Sequence, residues 1–354
     1  MDTARDGRDS GRVVHQSAEM LGVPQARPFG FTSMQAVACG GAFSVGQVRC
    51  NGGDRALYLS ARLSEQSTAV CEGVRPSCSR VFGTESPFWP CSLSPQTAWT
   101  QQHTAIITST GRLAVWGHGY FGQLGTGKAE DRRAPTPVGG VLADVSVRAV
   151  ACGNRHTACA TADGRLFTWG HGGLGALGHG GTAGKMQPSE VKALSGVKRV
   201  AVVSCCADHT AVCTVDGCVF TWGAGAFGQL GHGDTGSKLV PCQVLGELLC
   251  RHVVTIATGN CHTASVTREG HLFAWGDATF GQLGLGGTEG KLAPQQVGAE
   301  LATLSTKSVA CGHYHTVAAT QDGLIFAWGD GQQGQLGLGS REGRSYRNSE
   351  KSVT

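Results

Sequence analysis

Short apolar runs separated by glycine and polar residues mark most of this chain, and the runs recur. In the stretch Gly217 to Gly231, Val219 and Thr221 fall on one face of an extended segment and Phe220 and Trp222 on the other, since strand side chains alternate with period two. Both faces are apolar or small, so such a strand has to be covered on both sides. The phrase returns with its tryptophan at Trp116, Trp169, Trp222, Trp275 and Trp328, a step of 53 residues each time. His103, His156, His209, His262 and His315, each followed by threonine, keep the same step. So do Pro135, Pro188, Pro241 and Pro294, each with a valine three residues later. A period this long means one supersecondary unit copied in tandem.

Each unit predicts four strands. The first is the Val-Ala-Cys-Gly phrase, and the second starts at the histidine, as in His156 to Thr161. A turn follows at Asp163-Gly164, Asp216-Gly217, Glu269-Gly270 or Asp322-Gly323, where an acidic residue plus glycine between apolar runs predicts a tight primed hairpin. The third strand is Leu166 to Trp169, and the fourth, Pro188 to Val191, starts with a proline suited to an outer edge. The glycine loop between them, Gly170 to Gly178, reads as turns that let adjacent units approach closely. Four-stranded sheets stacked around an axis cover both faces of each sheet, so the predicted fold is all-β, a β-propeller.

The N-terminal third is less regular. Residues 1 to about 34 are polar up to the apolar run at Met34, and residues 44–100 lack the Trp-Gly phrase, with Phe43 standing in the histidine slot. Counting 44–100 as one eroded unit beside five clear ones gives six blades, or seven if it hides another. The last copy stops at Gly337-Leu338-Gly339, before its Pro-x-x-Val strand, whereas Pro24 to Phe29 resembles that missing element. Residues 22–30 are therefore expected to supply the outer strand of the blade at 307–339 and close the ring. The domain is read as 22–339, with disordered segments at 1–21 and 340–354.

Composition narrows the function classes. Glycine, 55 of 354 residues, is about twice its usual share of roughly 7% without a collagen triplet. The net charge of +4 comes from 29 basic and 25 acidic residues, too even for a nucleic-acid footprint. No run approaches the roughly 20 apolar residues of a membrane span, and no secretory leader is read, since Asp2, Asp6 and Asp9 mix with Arg5, Arg8 and Arg12. With 15 cysteines this implies a reducing compartment, cytoplasmic or nuclear. Cys39, Cys152, Cys205 and Cys311 share one phase and read as small buried residues. Cys205, Cys206 and His209 lack an accompanying Cys-x-x-Cys pair, so no metal is expected, and no cofactor.

Two motifs resemble catalytic ones. Gly122 to Ala129 nearly spells a phosphate-binding loop, but Ala129 supplies no hydroxyl, the other copies lack Lys128, and Pro135 rather than a helix follows. The five His-Thr pairs recur in every unit, which suits a packing role better than a catalytic one. Function is sought instead where copies differ, in the pairs before each histidine: Gln101-Gln102, Asn154-Arg155, Ala207-Asp208, Asn260-Cys261 and His313-Tyr314. On a propeller these emerge on one rim. The candidate protein-binding residues are Asn154, Arg155, Asp208, Asn260, His313 and Tyr314, with no catalytic residue assigned.

The phrase Gly-x-Val/Leu-Phe-x-Trp-Gly-x-Gly-x-x-Gly-Gln-Leu-Gly, with Gly-x-x-His-Thr about 50 residues apart, resembles the repeat of the regulator of chromosome condensation family, clearly over residues 93–339 and faintly over 35–92. The resemblance implies a seven-bladed propeller. Its name-giving member is a nucleotide exchange factor for the small GTPase Ran, and others serve ubiquitin ligases, ciliary scaffolds or plant ultraviolet reception. Such a resemblance carries fold further than function. Asp208 matches the slot where the exchange factor places an acidic residue before a histidine. Against that role, copies locked at 53 residues leave no space for a wedge hairpin outside 44–100, and no basic tail is present. The ultraviolet receptor's tryptophan before Arg-His-Thr is replaced by Asn154. The expectation is a monomeric, non-catalytic scaffold that binds a protein partner through the rim. The alternative is a guanine-nucleotide exchange factor for a Ran-like small GTPase.

Overall fold

The computed structural model describes residues 102–338 apart from positions 109 and 197, together with the backbone of four strands at 31–40, 43–50, 55–60 and 96–99. Residues 1–30 and 339–354, and with them the expected closing strand and both tails, lie outside the described residues.

The described chain is all-β, in antiparallel sheets that follow the repeat. The first three strands are β1 (Phe31–Gly40), β2 (Phe43–Cys50) and β3 (Arg55–Ser60). Next come β4 (Gln96–Trp99), β5 (His103–Ile107), β6 (Leu113–Gly117) and β7 (Arg132–Pro137), then β8 (Val147–Cys152), β9 (His156–Thr161), β10 (Leu166–Gly170) and β11 (Lys185–Glu190). The third full copy is β12 (Val200–Cys206), β13 (His209–Thr214), β14 (Val219–Gly223) and β15 (Lys238–Gln243), and the fourth is β16 (Val253–Thr258), β17 (His262–Thr267), β18 (Leu272–Gly276) and β19 (Lys291–Gln296). The chain then forms β20 (Thr306–Cys311), β21 (His315–Thr320) and β22 (Ile325–Gly329).

Each set is one sheet in chain order. The first strands of successive sheets lie against one another, β4 on β8, β8 on β12, β12 on β16 and β16 on β20, and β1 packs beside β20 and β21. The core therefore lies between sheets. One apolar cluster joins Val115 and Leu124 to Trp169, and the next joins Ala158 and Leu166 to Trp222. Two more join Ala211 to Trp275 and Ala264 to Trp328. Strands β9, β13, β17 and β21 are buried at every position, as expected of strands covered on both faces.

Four expectations need correction. The hairpin turns are not two-residue primed turns. At 161–165 only Gly164 is left-handed, at φ 90, and Thr161 N–H donates to the Arg165 carbonyl, giving a three-residue loop with a glycine bulge. The outer strand starts at Lys185, three residues before Pro188, which is tolerated because the ladder to β10 is irregular between Thr168 and Gly170. β1 starts at Phe31, ahead of Met34. Finally, Trp116 is only partly buried, whereas Trp169, Trp222, Trp275 and Trp328 are buried. Each buried indole is held by the Gly-Gln-Leu-Gly loop, or its Gly-Ala-Leu-Gly form, of the preceding copy, and that phrase is missing before Trp116.

Candidate protein-interaction rim

One seam is built four times between neighbouring sheets. The Trp169 indole N–H donates to the Gln123 carbonyl at 2.9 Å, and the Thr157 hydroxyl donates to the same oxygen at 2.7 Å. Having spent its only proton there, the Thr157 hydroxyl accepts from His103 Nε2 at 2.7 Å, which fixes that ring as the Nε2–H tautomer. The set repeats with Trp222, Thr210 and His156 on the Ala176 carbonyl, with Trp275, Thr263 and His209 on Gln229, and with Trp328, Thr316 and His262 on Gln282.

Burial drives the five histidines far below their ordinary value of 6.5, to about 3 for His103, His209 and His262 and about 4 for His156 and His315. Neighbouring rings add to the effect. These rings are neutral structural groups. Glycine is needed beside them: a Cβ on Gly178 would lie 2.8 Å from the Trp222 Nε1, and one on Gly259 would lie 2.3 Å from His262 Nδ1.

The nucleotide-loop lookalike is part of the same scaffold. Gly127 N–H is taken by the Met186 carbonyl of the next sheet at 3.0 Å, and strand β7 follows the loop. The Gly122 and Gly125 N–H groups are likewise spent within the loop, on the Gly119 and Gly122 carbonyls at 2.8 and 2.9 Å. Among the described residues no group of three histidine, cysteine or acidic side chains is placed to hold a metal ion, and no helix is long and apolar enough to cross a membrane. Burial holds Cys205 and Cys206 as thiols, raised to about 12.

The rim at one end of the sheets carries two loops per copy. The residue entering the glycine loop donates its N–H to the carbonyl just before the histidine: His171 to Arg155, Ala224 to Asp208, Asp277 to Cys261 and Asp330 to Tyr314, at 2.8–2.9 Å. All six sequence-predicted residues lie on this rim. Arg155 is exposed, while Asn154, Asp208, Asn260, His313 and Tyr314 are half-buried. Neighbouring loops touch, Asn260 Nδ2 donating to the Tyr314 hydroxyl at 2.9 Å.

A second set of rim residues was missed by sequence reasoning. Tyr120, Leu174, Phe227 and Phe280 are exposed by 67, 52, 53 and 38%, and the last three occupy one slot of the glycine loop, shared with Phe121. The signal was present, a large apolar residue recurring at the loop tip between glycines. The predicted slot stacks on this one: the Arg155 guanidinium sits 4.9 Å over the Phe121 ring, and Tyr314 lies 5.1 Å from Phe280. Buried glutamines hold these tips up, Gln123, Gln229 and Gln282 each accepting the N–H of Phe121, Phe227 or Phe280 at 2.9 Å. In the second full copy Ala176 replaces the glutamine, and there Leu174 is left-handed at φ 54. Cys206 replaces the usual glycine in the next sheet, and Ala207 beside it is left-handed at φ 40.

The RCC1-like domain profile matches residues 82–353. The chain belongs to the RCC1-like domain family. It is 36% identical to the Ultraviolet-B receptor UVR8 of Arabidopsis thaliana over 251 residues, 71% of this chain and 56% of that protein. It is also 36% identical to the E3 ubiquitin-protein ligase HERC2 of Homo sapiens over 239 residues, 66% of this chain but 5% of HERC2. The chain thus spans about half of the first relative and a small fraction of the second. Among solved structures, human WBSCR16 shares 27% identity with a TM-score of 0.62, covering 81% of this chain and 72% of that one. Yeast RCC1 (Prp20), solved with Kap60, shares 19% with a TM-score of 0.68 over 90% of this chain and 75% of its own, a likeness of fold. An RCC1-like domain is a β-propeller of the regulatory and interaction kind, as the repeat implied.

Proposed function

We propose that this propeller is a non-catalytic scaffold whose partner, another protein, docks on the rim formed by the loops before each histidine and the tips of the glycine loops. The observation that carries this reading is the contrast within each copy. Histidine, threonine and tryptophan are consumed by the seam, whereas the rim slots differ from copy to copy and keep large apolar and charged side chains accessible. The chain is taken to act as a monomer in the cytoplasm or nucleus. Residues 22–30 are proposed to pair with β22, giving six blades and a closed ring, or seven if residues 44–100 hide another. The test is affinity capture with the wild-type chain and a variant carrying Asn154→Ala and Arg155→Ala. A partner held by the first and lost by the second at unchanged stability supports the rim, and equal capture refutes its use there.

The second reading is guanine-nucleotide exchange on a small GTPase. It is favoured by Asp208 on the rim and by the fold of Prp20p from Saccharomyces cerevisiae, described for its binding to Gsp1p and histones. Nucleotide-release kinetics separate the two readings. Accelerated release of labelled guanosine diphosphate from Ran at catalytic amounts of this chain, lost in Asp208→Ala, would replace the scaffold by an exchange factor.

A further inference from the structure

The rim is segregated by charge. In the first two full copies its loops carry Arg155 beside His118, Tyr120, Phe121 and His171, and in the later ones Asp208, Asp277 and Asp330 beside His313, with no lysine or arginine in the equivalent slots. The quarter around Arg155 is built from ring contacts. Phe121 stands at its centre, meeting Tyr120 edge-on at 5.2 Å and His171 edge-on at 5.4 Å, with the Arg155 guanidinium on its face at 4.9 Å.

Arg155 forms no ion pair with any described residue. Two carboxylates of the adjoining glycine loop are engaged elsewhere: Asp131 Oδ1 accepts the Gly119 N–H at 2.8 Å, and Glu130 pairs with Arg132 at 3.2 Å. An exposed guanidinium stacked on a ring has lost much of its rotamer freedom before any partner arrives, so pairing with an anion costs it little more. The exposed phenol of Tyr120 beside it offers an amphipathic ring of the kind enriched at the centres of protein interfaces.

We propose that Tyr120, Phe121, Arg155 and His171 form the docking point for an acidic segment of a partner protein. A carboxylate of that segment pairs with the Arg155 guanidinium, and a neighbouring apolar side chain lies against Tyr120 and Phe121. Charge complementarity selects the occupant. The acidic arc across Asp208, Asp277 and Asp330 repels the same segment and so sets which way round the partner sits. This assignment rests on the rim reading and adds to it the partner's chemistry and the anchor.

The test is fluorescence anisotropy with two fluorescein-labelled peptides, Asp-Glu-Phe-Asp-Glu and Lys-Lys-Phe-Lys-Lys, on the full chain. The acidic peptide is expected to bind through Arg155, and any hold of the lysine peptide on the acidic arc is expected to be unchanged in Arg155→Ala and weaker in Asp277→Asn. Arg155→Ala should weaken binding about tenfold or more and Tyr120→Ser about threefold or more, while Asp277→Asn leaves it unchanged or tighter. Thermal unfolding of each variant confirms that the surface changes leave the fold intact. No binding of the acidic peptide, binding of the lysine peptide that Arg155→Ala weakens, or wild-type affinity for the acidic peptide in Arg155→Ala overturns the proposal. So does self-association in light scattering that Arg155→Glu abolishes, which would give the place to a second copy. If a captured partner depends on Asp208 and Asp277 but not on Arg155, the rim reading stands and this assignment falls.

Discussion

The seam and the rim are a few residues apart in every copy and obey opposite rules. At the seam, four successive carbonyls receive the same two donors, from a tryptophan and a threonine, and each threonine receives a histidine. On the rim, the slot directly before the histidine reads Arg155, Asp208, Cys261 and Tyr314 in successive sheets. The difference teaches where the constraint lies. A buried donor or acceptor left unpaired costs about 1–3 kcal/mol, so no seam position can drift alone, while a rim side chain that meets water has no such partner to lose.

Acid is expected to break the contrast most completely. The seam histidines take up protons at about 6.5 when unfolded and only at about 3 to 4 when folded, because burial disfavours their charged form. Protons therefore favour the unfolded chain. The histidine contribution is fully present above pH 6.5 and is lost as pH falls through about 4 to about 3, so circular dichroism should show cooperative unfolding within that window at fixed salt. Trp222→Ala, which removes a buried ring and a seam donor, should cost about 3–5 kcal/mol in a denaturant titration. A change below about 1 kcal/mol would contradict its burial.

Thr210→Val keeps the shape but strands the His156 N–H and leaves the Ala176 carbonyl with the Trp222 donor alone, and should cost about 1–3 kcal/mol by the same titration. Leu174→Gly relieves a left-handed side-chain residue and should stabilise by up to about 1 kcal/mol. The smallest effect belongs to the rim: Phe227→Ala and Arg155→Ala should each stay within about 0.5 kcal/mol. A larger loss in either would mean that the rim is part of the fold's support.

Much of the fold was legible because packing residues are needed once per copy and so repeat. The 53-residue step placed the strands, and the two-sided apolar pattern of Val219 to Trp222 pointed to sheets covered on both faces. The edges of strands were less legible. Lys185 to Gln187 joins β11 through an irregular ladder rather than through apolar alternation, so only the proline stood out. The turn at Gly164 was misread because an acidic residue before glycine serves both two- and three-residue loops. At the rim, the residues before the histidines were found by their variation. Phe121, Phe227 and Phe280 were overlooked because a recurring phenylalanine reads as core, and its exposure follows from the buried glutamine that props up the loop tip.

The hydrogen bonds at 2.9–3.0 Å between each buried indole and a carbonyl 46 positions earlier in the chain have an evolutionary corollary. Because donor and acceptor come from different copies at a constant offset, a tandem duplication of one period, begun at any phase, regenerates a complete joint on both sides of the new material. A deletion of a fractional period does not. Such an array can change length in whole steps without inventing a contact, and the divergence of its surface loops can begin at once.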